Sequence, residues 1–163
     1  MPRQGQAGKP RIFLDSSVPV AGAASRSGAS RAILVLAEMG FLQVVVSQQV
    51  LEESRRTLQE KMPEALSYYQ ETILALDLEL GGEPSSADVE RCEGFIKHAE
   101  DAPILAAAMN ASPDRTVTLN TKHFIDDPEV ARRSGLFIQT PGQLVAEIRD
   151  LLTKAFTKGE TEP

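Results

Sequence analysis

Apolar positions along the chain fall into two alternating patterns: short runs rich in Val, Ile, Leu and Phe, and longer stretches with helical spacing. The first run, Arg11-Ile-Phe-Leu-Asp15, reads as a buried strand that ends in an acid. After a Ser/Gly-rich connection, Ser30 to Met39 carries Ile33, Leu34 and Ala37 on one face, with Gly40 in the usual C-terminal stop position. Phe41 to Val46 is a second strand, and Ser47 is placed to cap a helix from Gln48 to Lys61 with Val50, Leu51, Ser54 and Leu58 on one side. Pro63 begins another helix through Tyr68, Tyr69, Ile73 and Leu76, and Leu76 to Leu80 is compatible with a short third strand. Past the breaker Gly81-Gly82-Glu83-Pro84, helical spacing resumes over Ala87 to Ala99 and again over Asp101 to Ala111. Arg115 to Leu119 and Leu136 to Gln139 supply two more strands, and Pro141 starts a last helix carrying Leu144, Val145, Ile148, Leu151 and Leu152.

Five short strands with intervening helices predict an α/β fold: a three-layer sandwich around one mainly parallel sheet covered on both faces. The organisation expected is a flexible leader over residues 1–10, one domain over 11–156 and a flexible tail over 157–163. In such sheets functional groups sit at the carboxyl ends of strands. Asp15 ends the first strand and Asn120 follows the fourth, where that rule places them.

Composition narrows the function classes. At 163 residues with 42% hydrophobic and 25% charged residues, the chain can bury one core without covalent staples. Cys92 is the sole cysteine, so no intramolecular disulfide or cysteine-rich zinc site exists, which fits a reducing compartment. With no apolar run of signal-peptide or membrane-spanning length, a cytoplasmic location with no membrane partner is expected. A net charge of −6 and a pI of about 5.0 argue against a broad basic surface for nucleic acid, while leaving room for a local patch. No glycine-rich phosphate loop follows a strand, and no Gly-x-Ser-x-Gly elbow is present, which removes the common nucleotide-binding and serine-hydrolase readings.

Four separated places offer oxygen ligands: Asp15, the pair Glu52-Glu53, the pair Glu100-Asp101, and Asn120. Hard divalent cations such as Mg²⁺ take a few carboxylates, several waters and the substrate's own phosphate, an arrangement suited to phosphodiester hydrolysis. Spacing alone does not single these residues out among 23 Asp and Glu.

Four segments in order resemble the motifs of the PIN-domain family. Ile12-Phe-Leu-Asp15-Ser-Ser-Val18 resembles its opening, Ser47-Gln-Gln-Val-Leu-Glu-Glu53 its second motif, and Asp101-Ala-Pro-Ile-Leu-Ala-Ala-Ala108 its third. Val117-Thr-Leu-Asn-Thr-Lys-His-Phe124 resembles the fourth, and Pro141 with Leu144 a final Pro-x-x-Leu. The resemblance runs over Arg11 to Ala146 and implies a five-stranded parallel sheet, a Mg²⁺ or Mn²⁺ site and endoribonuclease activity on RNA. It implies Asp15, Glu53, Asp101 and Asn120 as metal ligands and catalytic residues, with Asn120 departing from the more usual Asp. Many relatives are toxins of toxin-antitoxin modules, so the resemblance also implies an antitoxin partner and a homodimer. The alternative is a catalytically weak PIN domain that binds RNA or protein.

Each residue also has a plainer reading. Glu52 and Glu53 both suit the first turns of a helix, and Asp101 before Ala-Pro would cap a helix in any protein. Ser16 and Thr118 are candidates to orient a carboxylate from the second shell of ligands. For RNA contact the candidates are Arg26, Arg31, Arg55, Arg56 and Lys122, all of which also suit a solvated face. His123 is either a substrate contact or a solvated side chain, Asp126 and Asp127 suit a helix cap, and Cys92 and His98 lack partners at ligand spacing.

Overall fold

The structure, a computed structural model, describes residues 8–159. Its five strands are β1 (Arg11–Leu14), β2 (Gln43–Val46), β3 (Glu79–Leu80), β4 (Arg115–Val117) and β5 (Ile138–Gln139), in the order β3-β2-β1-β4-β5. Every neighbouring pair is parallel; Phe13 stands opposite Val45 on one side and Thr116 on the other. Successive residues of a strand point to opposite faces, and Ile12, Phe13 and Leu14 are all at most 1% exposed, so both faces of the sheet are covered. That is why this strand is an unbroken apolar run rather than an alternating one.

Nine α-helices connect these strands among the described residues: α1 (Ser17–Ala24), α2 (Ala29–Glu38), α3 (Gln48–Lys61), α4 (Leu66–Ala75), α5 (Ser86–Glu93), α6 (Ala102–Ala111), α7 (Thr121–Phe124), α8 (Pro128–Ser134) and α9 (Pro141–Gly159). The main core joins the sheet to Ile33 and Leu34 of α2 and to Leu105 and Ala106 of α6. A second cluster, Ala23, Leu58, Ala65 and Tyr69, ties α1, α3 and α4 together. Ser47 caps α3 by accepting from the Val50 N–H, Gly40 at φ 82° follows α2, and Asp127 caps α8, all as the sequence predicts.

Two readings are corrected. The Ser/Gly-rich connection after β1 contains helix α1, with Pro19 in its first turn, where no backbone N–H is needed, and Gly22 facing α2. A Cβ on Gly22 would lie 2.6 Å from Leu34 Cδ1, so the glycine permits close helix packing rather than a turn. Helix α5 stops at Glu93 with Gly94 as its cap, short of the expected Ala99. At the far end α9 runs from Pro141 through Gly159. Most of the expected leader, residues 1–7, and of the expected tail, residues 160–163, lies outside the described residues.

Because all strands run the same way, the loops after β1, β2, β4 and β5 open on one edge. The chain builds β1, β2 and β3 outward, then returns to place β4 against the other side of β1. The crevice at that reversal is where open α/β sheets bind their ligands.

Candidate active site

Asp15 occupies the reversal. Its backbone N–H donates to the Val117 carbonyl (3.2 Å), and its side chain is 6% exposed. Oδ1 accepts from the Ser17 backbone N–H (3.1 Å) and from the Ser17 hydroxyl, while Oδ2 accepts from the Thr118 hydroxyl at 2.5 Å. Both hydroxyl oxygens in turn accept from the loop after β4: Leu119 N–H reaches Ser17 Oγ (3.0 Å) and Asn120 N–H reaches Thr118 Oγ1 (2.9 Å). Each hydroxyl thus uses a lone pair on the loop and its proton on Asp15, which holds the carboxyl group as an acceptor. A carboxylate offers about four lone-pair positions; three are taken, and the one left belongs to Oδ2.

Burial pushes the Asp15 carboxyl above the ordinary aspartate range, the three hydrogen bonds pull it back, and the charge of Asp101 adds a further upward push. Asp15 and Asp101, 86 positions apart in the sequence, therefore stand within each other's electrostatic reach.

Asp101 ends a short 3₁₀ turn, Ala99–Asp101, at the entrance to α6, and its side chain makes no capping bond there. The plain helix-cap reading of Asp101 is thereby removed. Its Oδ2 lies 2.6 Å from His123 Nδ1, and the His123 ring stacks on His98 with centroids 3.5 Å apart and planes 15° from parallel.

Asn120 caps α7, its Oδ1 accepting from the His123 N–H (3.4 Å). The oxygen in this cap is the one that would serve a cation. Glu53 is half-buried on α3 and accepts from Gln49 Nε2 (2.8 Å). Gln49 shares a cavity of about 140 Å³ with Pro103 and Ala107 of α6, so this side of α3 is turned toward the helix that Asp101 leads into. Glu52 is exposed, accepts from Gln48, and lines a separate groove beside Tyr69 of α4. The structure thus gives the two glutamates different surroundings, Glu53 beside Gln49 and Glu52 beside Tyr69.

Among the described residues no group of three or more His, Cys, Asp and Glu stands close enough to hold a metal ion. The expected set of four ligands is therefore gathered only in part: Asp15 with Asp101, and Asn120 beside them through Thr118 and His123. The pair nonetheless suits a hard cation, because Mg²⁺ commonly takes only one or two carboxylates and keeps its waters. A cation there would also relieve the upward push on Asp15.

One orienting role moves to a neighbouring residue, and one candidate for RNA contact turns inward. The serine that orients Asp15 is Ser17, since an aspartate naturally turns back on the residue two positions on. Ser16 instead contributes its carbonyl, which accepts from the Val20 N–H and from Ser54 Oγ. Arg31, a candidate for RNA contact, is spent inside the fold. Its guanidinium donates to the Gly22 and Ala23 carbonyls and lies 3.7 Å over the Tyr68 ring. Arg55 bonds Gln59 on the outer side of α3, and Arg26, Arg56 and Lys122 are exposed. His98 and His123 were not legible as a pair, because a 25-residue separation carries no spacing signal.

The family model of the PIN domain matches residues 11–122. The chain belongs to the PIN-domain family. All four acid or amide positions, Asp15, Glu53, Asp101 and Asn120, fall inside the matched span of this PIN domain. Among solved structures, the PIN domain is similar to VapBC from Salmonella typhimurium bound to DNA (TM-score 0.59, 15% identity, 81% of this chain and 98% of that one). It is similar also to VapBC2 from Rickettsia felis bound to a DNA fragment from their promoter (0.57, 17%, 80% and 98%). FitAcB from Neisseria gonorrhoeae is a further neighbour (0.54, 17%, 80% and 97%). At these identities the likeness is one of fold. No curated protein sequence matches the chain significantly.

Proposed function

We propose that this PIN domain is a Mg²⁺- or Mn²⁺-dependent endoribonuclease and the toxin of a toxin-antitoxin pair, acting in the cytoplasm as a homodimer. The observation that carries the reading is Asp15: a buried carboxylate fixed by two hydroxyls and pressed by a second carboxylate, Asp101, at the point where the sheet order reverses. Burying two like charges together opposes folding, and such arrangements belong to sites rather than to cores.

In this reading Asp15 and Asp101 hold the cation, with Glu53 and Asn120 as further donors. When bound, the ion supplies an activated water at neutral pH and charge neutralisation at the scissile phosphate. Ser17 and Thr118 keep Asp15 from rotating, leaving one Oδ2 lone pair for a cation. His123 does the same for Asp101. The cognate antitoxin is supported by the neighbours, whose solved structures are VapBC and FitAcB proteins.

A second reading, a PIN domain that binds RNA or protein without cutting, is favoured by the cap that Asn120 forms and by the lack of a three-ligand group among the described residues. Cleavage of labelled RNA in Mn²⁺, with and without EDTA, separates the two when paired with calorimetric Mn²⁺ binding. Chelator-sensitive cutting and saturable Mn²⁺ binding are expected. RNA bound without turnover would establish the binding module instead.

A further inference from the structure

Beside the acid pair lies a cavity of about 330 Å³ that the proposed chemistry does not use. Its wall is the stacked pair His98 and His123, flanked by Lys97, Lys122, Asp126 and Asp127. The volume is at the lower end of ligand pockets, roughly 300–1,000 Å³, which suits one nucleotide rather than a longer ligand. Formal charges around it cancel, two lysines against two aspartates, so a bare phosphate gains little there. A flat aromatic ligand gains more. His123 is anchored by Asp101 at 2.6 Å and is the more buried of the two rings, with 22% of its side chain exposed against 41% for His98. His123 thus anchors the stack, while the more exposed His98 stands at the cavity with its Nδ1 3.8 Å from Glu100 Oε1.

We propose that this cavity takes one unpaired base of single-stranded RNA next to the cleaved bond, stacked on His98 as the third layer of the imidazole pair. Bases stack on histidine as on other aromatic rings, and of the two lysines lining the cavity Lys97 lies 4.0 Å from Asp127 while Lys122 is exposed and available to that nucleotide's phosphates. The inference rests on the ribonuclease reading, since it places the base beside Asp101. His98 is assigned here to substrate binding and not to the chemical step.

The test is steady-state cleavage of an unstructured RNA oligonucleotide by wild type, His98→Ala and His98→Phe in Mn²⁺, with thermal melting of each. Loss of one base stack is worth about a tenfold rise in KM. His98→Ala is expected to show it with kcat within about twofold, and His98→Phe, which keeps an aromatic face, to return KM toward wild type. Nucleoside monophosphates added to the metal-free protein are expected to shift the His98 and His123 ring-proton resonances. If wild type cuts RNA and His98→Ala leaves KM unchanged, the base site is overturned while the nuclease stands. Equal weakening by Ala and Phe also overturns it, because stacking then has no part. If wild type neither cuts nor binds RNA, the nuclease reading fails and takes this site with it.

Discussion

The two edges of the sheet treat charge in opposite ways. At the amino edge Arg11 donates to Glu79 (2.6 and 3.0 Å) and to the Ala111 and Ser112 carbonyls, and its backbone N–H reaches Asp114. Arg115 there pairs with Glu147 at 2.7 Å and lies over the Phe137 ring. At the carboxyl edge Asp15 and Asp101 stand near each other, and none of the ion pairs among the described residues brings a lysine or arginine to them. The same chain that neutralises its acids at one edge leaves them to a histidine and two hydroxyls at the other. Charge balance is thus within reach of this fold, yet Asp15 and Asp101 stand without a lysine or arginine partner among the described ion pairs.

The two acids are expected to be the most sensitive positions in the molecule. Asp15→Asn and Asp101→Asn are each expected to cut RNA cleavage by at least about a thousandfold, since interactions of a few kcal/mol in the transition state amount to several powers of ten in rate. The fold should survive. In EDTA, Asp15→Asn is expected to melt close to wild type, because relief of a buried charge near Asp101 offsets the weakened bonds to Ser17 and Thr118. Full cleavage by both variants refutes the site.

The hydroxyls come next. Thr118→Val and Ser17→Ala each remove a donor from Asp15, with an expected loss of about 10- to 100-fold in cleavage or Mn²⁺ affinity. Ser16→Ala should stay within about twofold of wild type, and an effect as large as that of Ser17→Ala would return the orienting role to Ser16. Asn120→Asp keeps a good helix cap while adding a second oxygen. A several-fold tightening of Mn²⁺ binding by titration is expected, whereas unchanged affinity would make Asn120 a cap alone.

Arg31→Ala sharpens the contrast from the structural side. It is expected to cost about 1–2 kcal/mol, roughly a 2–6 °C drop in Tm, with KM for RNA unchanged. A raised KM at unchanged Tm would restore Arg31 to the RNA surface. The smallest effects belong to the amino edge. Arginine neighbours hold the Glu79 and Glu147 carboxyls below the ordinary glutamate range. Their contribution is therefore present above the unfolded glutamate value and fades as pH falls through the lower folded one. Glu79→Gln should cost about 0–1 kcal/mol at pH 7 in urea melts, less in high salt, and nothing at low pH.

Much of this architecture was legible because apolar runs and caps obey local rules. Ser47, Gly40 and Asp127 mark their helix ends by chemistry that needs no distant partner. Helix α1 escaped because its Val18, Pro19, Gly22 and Ala23 have no one-sided pattern; it is wedged between α2 and α3 and buried by them. Asp15 was visible as an acid at the end of an apolar strand, while the choice of Ser17 over Ser16 depends on the turn the chain makes after it. His98 and His123 meet only because α7 folds back over the entrance to α6, which no local spacing encodes.

The bond from Thr118 to Asp15 spans 103 positions, and that separation has a consequence in time. Chains emerge amino end first, and contacts between distant residues close late. Asp15 is made 103 residues before the hydroxyl that orients it, and the strand that seats it on one side follows at a similar distance. Under the ribonuclease reading proposed above, the order of synthesis would act as a safety catch. The half-made chain carries its acids unassembled, and the interval before Thr118 arrives is one in which an inhibitor can be waiting.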